Sequence, residues 1–383
     1  MYFSSLRTTA FRNLNDAEVS TGARDVFLIG ENGQGKSNFL EALYFCCYAS
    51  SFRGARDADM LKNGKSDFSA SVKTAEAVNS AIDESAVTSI FGEVLIKYEK
   101  GKKTVIIDGK KAEDRKDLLS IAPCIVFCHE DMEFVSGSPE KRRWFFDQAL
   151  SLYDPVYLDD LRRYRRVLKF RNATLRDNAM HRIAEDPEPM LDALDVQFAQ
   201  YGASLVEKRE IAARLFSGVF GPLYREVSGI DGISVQYVPS WKKPGTGSSG
   251  GVLSGDEALV YLKERRALDL GAGASMSGPH RDRYVFLHNG TEFAGKASTG
   301  QRRLLALLLR VAQAKRFSET TGKNAIILLD DVLLEMDGEK RKKFLSVMPA
   351  YEQAFYTFLP EEPYQRYRKN DTLVYHVSGG VLA

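Results

Sequence analysis

The sequence predicts an α/β nucleotide-binding fold cut in two by an inserted helical arm, and three observations lead there. Residues 30–37, Gly-Glu-Asn-Gly-Gln-Gly-Lys-Ser, fit the phosphate-binding pattern G-x-x-x-x-G-K-[ST], between a strand-type apolar run at 26–29 and a helix-type run at 38–48. A second apolar run, 325–329, ends in Asp330 and Asp331 about 290 residues later. Between the two lie long stretches of helical periodicity. Compact P-loop folds place their acidic strand far sooner, so a large insertion must split the nucleotide-binding core.

Before the P-loop, residues 2–8, 16–19 and 25–29 alternate as strands do, with a turn near 13–15. In the loop itself, glycines let the backbone curl so that its N–H groups face an anion, and the following helix N-terminus adds partial positive charge. Gly30, Glu31, Asn32, Gly33, Gln34 and Gly35 form that cradle, and Asn38 opens the helix proper. Lys36 supplies an ammonium for the β- and γ-phosphates of ATP, and the Ser37 hydroxyl can ligate Mg²⁺. A polar stretch from 53 to about 89 follows. Residues 90–98 and 103–107 read as a hairpin around 99–102, with Asp108-Gly109 a further turn. The run 125–127 is a buried strand that ends in Cys128-His129-Glu130-Asp131.

From about 138 the character turns helical. Leu161, Tyr164, Leu168 and Leu175 are spaced by threes, fours and sevens, as are Leu191, Leu194, Phe198, Tyr201, Leu205, Ala212 and Val219. Joined through the polar stretch 177–190, the two runs read as an antiparallel helical pair. Residues 240–256, rich in Gly and Ser, read as a flexible segment. From about 278 the α/β pattern returns, with strands at 283–288, 325–329, 354–358 and 373–377 and helices at 301–317 and 340–345. The acidic strand end would hold Mg²⁺ through water with Asp330, while Asp331 orients or deprotonates an attacking water. Ser298, Gly300 and Gln301 open a long helix, where N–H groups and the Ser298 hydroxyl could grip a phosphate. An ordinary N-cap explains Ser298 as well.

Taken in order, the P-loop, S-x-G-Q-x-R at 298–303 and L-L-D-D-x-x-x-E-x-D at 328–337 resemble the ATP-binding-cassette type of ATPase head in its SMC-like branch, and more narrowly the RecF family. Phe11-Arg12-Asn13, Ser51-Phe52-Arg53, Gly137-Ser138-Pro139 and Gly278-Pro279-His280-Arg281-Asp282 carry the narrower resemblance. It implies an ABC-type head with mixed sheets, residues 1–137 and 274–383, split by a helical arm domain at 138–273. It also implies an ATP-dependent homodimer in which Ser298, Gly300 and Gln301 of one protomer close over the γ-phosphate held by Lys36 of the other, with Glu335-Met336-Asp337 along the seam. Arg12 and Asn13 are the candidates for the adenine side. Binding of duplex and gapped DNA, work with RecR- and RecO-type mediators, recombinase loading and a cytoplasmic setting follow from the same resemblance. Four positions depart from the patterns of related ATPases. Cys128-His129 precede Glu130-Asp131, Arg283 stands where a second Asp is usual, and Thr357 occupies the strand end where transporter ATPases carry a switch His. Asp331, shorter than the Glu of transporter cassettes, implies slow hydrolysis.

Composition narrows the function classes. With 53 basic against 51 acidic residues the formal charge is +2, so any nucleic-acid surface must be a local patch. The densest basic stretch is 161–171, where Arg162, Arg166 and Lys169 share one helical face away from the apolar stripe and Asp159 is placed to pair with Arg163. Lys62, Lys65, Lys102, Lys103, Lys110 and Lys111 form a second candidate set. No apolar run approaches the roughly 18 residues that span a bilayer. Cys46, Cys47, Cys124 and Cys128 sit among apolar residues and read as reduced core thiols. The absence of L-S-G-G-Q and of a switch His argues against a transporter subunit. Roughly 100–130 inserted residues, at about 1.5 Å each over two arms, make a stub rather than a rod.

Overall fold

The computed structural model describes every residue except 1, 77–88, 115, 122, 181–185, 244–250, 334, 335 and 337. Packing divides the chain into two units, Met1–Asp131 with Ala314–Ala383, and Met132–Gln313.

In the first unit the apolar runs become strands, of which Asp25–Ile29, Gln353–Phe358, Ile326–Leu329 and Cys124–Phe127 are buried on both faces and Leu373–Ser378 and Val381–Leu382 are partly exposed. They form a sheet in the order Val381–Leu382, Leu373–Ser378, Asp25–Ile29, Gln353–Phe358, Ile326–Leu329, Cys124–Phe127, parallel except for the first pair. Ile29 stands opposite Phe358, and Leu329 opposite Tyr356 and Phe127. The P-loop and the acidic pair therefore leave the same edge of the sheet, one strand apart, as ligand-binding loops of parallel sheets do. An antiparallel sheet runs Ala17–Ser20, Tyr2–Thr9, Phe68–Glu76, Ser89–Glu99, Lys102–Ile107, Lys110–Lys111. The helix Lys36–Tyr48 contributes to one core with both sheets, and Phe39 through Cys47 are buried along its whole circumference. That explains why its sequence shows no polar face. All four cysteines are buried in this core, where loss of hydration pushes the thiols of Cys46 and Cys47 up. Phe68–Glu76 is a strand inside the polar stretch, to which the sequence assigns no element. Its inward positions are the small or apolar Phe68, Ala70, Val72 and Ala75, too modest a pattern to stand out.

The second unit is mainly helical, with a three-stranded sheet in the order Thr291–Glu292, Arg283–His288, Ile233–Val238. Its long helices, Pro155–Ala179 and Glu188–Ser228, run antiparallel. Arg171 meets Asp195 at 2.6 Å, Ser204 donates to Asp160 at 2.8 Å, and Lys208 to Asp154 at 3.0 Å. The expected stripes are buried at Leu161, Tyr164, Leu175, Leu191, Phe198, Leu205 and Ala212, with Val167 deeper than Leu168 and Phe216 and Phe220 deeper than Val219. Asp159 pairs with Arg162 at 3.9 Å rather than with Arg163, whose guanidinium lies over the Tyr201 ring at 5.7 Å. A cation–π seat on the neighbouring long helix takes Arg163 in place of the i,i+4 ion pair.

Two further expectations change. The flanks of 240–256 are folded: Trp241 is fully buried, Lys242 bridges Val252, and Ser254 caps the helix Gly255–Glu264. The Gly/Ser run 244–250 itself lies outside the described residues. The strand Arg283–His288 forms as expected but pairs with Ile233–Val238, so residues 274–313 pack with the helical unit rather than with the head. The division between units falls inside the helix Thr299–Thr321. Among the described residues no helix is long and apolar enough to cross a membrane.

Candidate nucleotide-binding site

The P-loop is shaped by backbone that only certain residues permit. Gly35, the residue before the helix, has φ of 117°, a region closed to side chains with a Cβ. The Lys36 ammonium is buried and donates to the carbonyls of Gly30 at 2.6 Å and Glu31 at 3.1 Å, so it hangs over its own loop. Ser37 Oγ donates to Asp330 Oδ1 at 2.6 Å across 293 residues of sequence. This contact closes the two halves of the site. Burial pushes Asp330 up to about 6; donation from Ser37 opposes it, Asp331 adds to it, Arg53 opposes it at 3.8 Å and Glu130 adds to it again.

A hydroxyl and a carboxylate that touch, beside two more carboxylates, are hard oxygen ligands in excess negative charge, and so they fit Mg²⁺. Among the described residues no group of three or more His, Cys, Asp or Glu side chains is arranged as a metal cage. Mg²⁺ seldom needs one, because phosphate and water complete its shell.

Asp331 adopts φ of 53°, in the left-handed region. Thr357, buried at the end of the central strand, holds it twice. The Asp331 N–H donates to Thr357 Oγ1 at 2.8 Å, and that hydroxyl is also 2.8 Å from Asp331 Oδ1, to which it donates. Sequence reading placed Thr357 at a strand end, but nothing local to it announced this clamp.

Arg12 and Asn13 sit on the P-loop's flank. Arg12 Nε and Nη2 donate to the fully buried Glu41 carboxylate at 2.9 and 3.0 Å, and Nη1 to the Asp59 carbonyl at 2.6 Å. Ser51 also donates to Glu41. Asn13 Nδ2 donates to the Gly33 carbonyl at 3.1 Å, while its Oδ1 accepts from Asn38 at 2.7 Å. Asn13 thus braces the loop itself, while Arg12 holds the helix that follows it. A brace that the sequence did not reveal comes from the C-terminal turn, where Gly379 N–H donates to Gln34 Oε1 at 2.7 Å and Gly380 N–H to the Gln34 carbonyl at 2.8 Å. A Cβ on Gly380 would stand 1.9 Å from the Asn13 carbonyl oxygen, so only glycine fits.

Ser298, Gly300 and Gln301 belong to the other unit. Ser298 N–H donates to Gln301 Oε1 at 2.8 Å and Gln301 N–H to Ser298 Oγ at 3.3 Å, a reciprocal capping box. Ser298, Thr299 and Gly300 are exposed, with open space over Gly300. Of the seam residues, Glu335 and Asp337 lie outside the described residues, and the Met336 carbonyl accepts from Arg341 at 3.1 Å. Residues His129–Met132 form a single 3-10 turn in which the Asp131 carboxylate accepts from Cys128 N–H at 3.1 Å. On the basic helix Arg166 and Lys169 are exposed, and Arg162 is engaged with Asp159. In the lysine set, Lys62 is bound to the Leu14 carbonyl and Lys103 to Asp57, whereas Lys65, Lys102, Lys110 and Lys111 are exposed.

Residues 2–379 match the family described as RecF/RecN/SMC N terminal domain. The DNA replication and repair protein RecF of Treponema pallidum (strain Nichols) is 38% identical over 375 residues, covering 97% of each chain. A solved structure of the recombination mediator protein RecF with ATP in the RecFOR pathway aligns with TM-score 0.84 at 24% identity, over 100% of this chain and 97% of that one. An Smc head bound to the C-winged helix domain of ScpA aligns with TM-score 0.51 at 16% identity, over 100% and 96%. These likenesses show the fold of an SMC-like ATPase head, with mixed sheets and a helical insertion.

Proposed function

The chain belongs to the RecF/RecN/SMC family and stands with its RecF proteins, and from that premise we propose an ATP-dependent DNA-binding protein of recombinational repair. It binds duplex next to single-stranded gaps, supports recombinase loading, replication restart and SOS induction, and works in the cytoplasm with RecR- and RecO-type mediators. The observation that carries this reading is the 2.6 Å contact of Ser37 with Asp330, which assembles a P-loop with its acidic partner.

On this reading the ammonium of Lys36 turns from its loop carbonyls to the β- and γ-phosphates of ATP, and the P-loop N–H groups take the remaining phosphate oxygens. Ser37 and Asp330 would hold Mg²⁺, which supplies charge neutralisation on the phosphates. Asp331 orients the attacking water, and its short side chain together with the Thr357 clamp makes turnover slow. Ser298, Gly300 and Gln301 of a second protomer complete the γ-phosphate site, so ATP joins two copies. The closed pair presents a composite basic surface to DNA, which makes DNA affinity depend on nucleotide.

Light scattering with ATP, with and without Mg²⁺, tests the central step. The parent protein forms dimers with ATP; Lys36→Met and Ser298→Arg stay monomeric. A parent that remains a single subunit at saturating ATP and Mg²⁺, or equal affinity for gapped DNA with ATP, ADP or no nucleotide, refutes the proposal. Steady-state turnover of many cycles per second without DNA would refute slow hydrolysis.

A further inference from the structure

Along the strand Asp25–Ile29, Val26 and Leu28 point into the core shared with the P-loop helix, so the alternate residue Phe27 faces the other side of the sheet. There a cavity of about 350 Å³ opens, within the roughly 300–1,000 Å³ range of ligand pockets. Phe27, Tyr356, Tyr367, Leu333, Leu345 and Met348 make its walls apolar. Its mouth is basic. Arg366, Arg368 and Lys369 line it, and Arg24 lies over the ring of the lining Tyr351 at 5.1 Å. Asp25 is the only carboxylate among the lining residues, and it is already taken by Lys369 at 2.9 Å and the Tyr351 hydroxyl at 2.7 Å. Arg24, Arg366 and Arg368 have no acidic partner among the described residues, and all three are exposed.

We propose that this pocket docks an acidic segment of a partner protein, which inserts one aromatic or long aliphatic side chain. The charge of the mouth selects acidic flanks, and the walls select an apolar anchor. A nucleobase fits the interior less well. The polar groups inside are the hydroxyls of Tyr351 and Tyr356, 3.5 Å apart, with Tyr351 committed to Asp25, so the base's ring nitrogens and carbonyls would be buried unpaired. The site does not involve nucleotide and stands apart from the P-loop reading.

Fluorescence anisotropy on the nucleotide-free full chain tests it with a labelled acidic peptide carrying one central phenylalanine. Binding should be saturable. It should weaken at least about tenfold when the peptide's phenylalanine becomes alanine, when its acidic flanks become lysines, or when the protein carries Arg366→Glu with Arg368→Glu. Met348→Trp, which fills the cavity from a half-buried wall, should weaken it likewise. If that variant loses its thermal transition, the exposed arginine pair decides alone. No saturable binding, or equal binding of the alanine or lysine peptide, overturns the proposal. So does an oligothymidylate that binds the same pocket, shown by loss on the same variants, in which case the site belongs to nucleic acid.

Discussion

Two aspartates, one in each unit, are both pushed up to about 6 by loss of hydration, yet their company is opposite. In the helical unit Asp282 accepts from Arg209 at 2.9 Å, from Ser240 N–H at 2.7 Å and from the Tyr237 hydroxyl. Arg209 also grips Asp147 at 2.7 Å, so every charge there faces an opposite one. At the P-loop, Asp330 has one hydroxyl donor, a cation no nearer than 3.8 Å, and two further carboxylates raising it. The same shift thus marks a finished internal lock in one place and an unmatched negative centre in the other. Unmatched charge held in place by the fold is what a cationic or phosphate-bearing ligand can complete.

Breaking the lock should have the largest effect. Arg209→Met leaves Asp282 without its cation in a buried site, while Asp147 keeps Arg165 at 3.2 Å, and should cost about 3–5 kcal/mol in urea unfolding at pH 8. Arg209 holds the Asp282 carboxyl down, so in the variant it rises above the parent's value of about 6, and the loss should shrink at pH 5, where its proton replaces the missing cation. A loss below 1 kcal/mol, or one independent of pH, would remove the contrast. The opposite sign is expected for Asp330→Asn in nucleotide-free protein. A carboxyl held near 6 when folded and near 3.8 when unfolded is destabilising above pH 6, and this cost vanishes as pH falls below 4. The variant should therefore be more stable than the parent at pH 8, by at most about 3 kcal/mol, and equal to it near pH 4. A destabilised variant at pH 8 would show that Asp330 belongs to the structure as Asp282 does.

What could be read from sequence divides along the same line. The P-loop, the acidic pair and the parallel strands were legible because backbone curvature and double burial demand particular residues in contiguous runs. The antiparallel helices were legible from their stripes. The clamp of Thr357 on Asp331, the bracing of Gln34 by Gly379 and Gly380, and the Arg209 lock were not, because each joins residues distant in sequence. Phe68–Glu76 was missed for a local reason, its inward alanines and its outward serine and lysine leaving weak alternation. Arg163 went to Tyr201 instead of Asp159 because the ring arrives from another helix, which no single-helix spacing rule contains.

The Thr357 clamp offers a middle-sized test. Thr357→Val keeps the shape but removes both hydrogen bonds to Asp331, whose φ of 53° then lacks its brace. ATP affinity should hold within about twofold, since the P-loop is untouched, while turnover should rise by about tenfold, the worth of a positioned hydrogen bond. Equal turnover would make the clamp purely structural.

The smallest effects separate the two candidate DNA surfaces. Arg166 and Lys169 are exposed on the helix Pro155–Ala179, and Lys110 and Lys111 are exposed at the edge of the antiparallel sheet. A lysine or arginine on a phosphate releases about one counterion, so its removal lowers affinity several-fold and flattens the salt dependence by about one unit of slope. Measured on gapped duplex with ATP, Arg166→Ala with Lys169→Ala should reduce the slope by about two if the helical face carries the DNA, and Lys110→Ala with Lys111→Ala should do so if the sheet edge carries it. Loss on both pairs fits a composite surface that closes only in the dimer, and the loss should then disappear in the Ser298→Arg background, where no dimer forms. A slope unchanged by either pair moves the contact elsewhere, and Lys65 and Lys102, exposed in the same unit as the P-loop, become the next residues to remove.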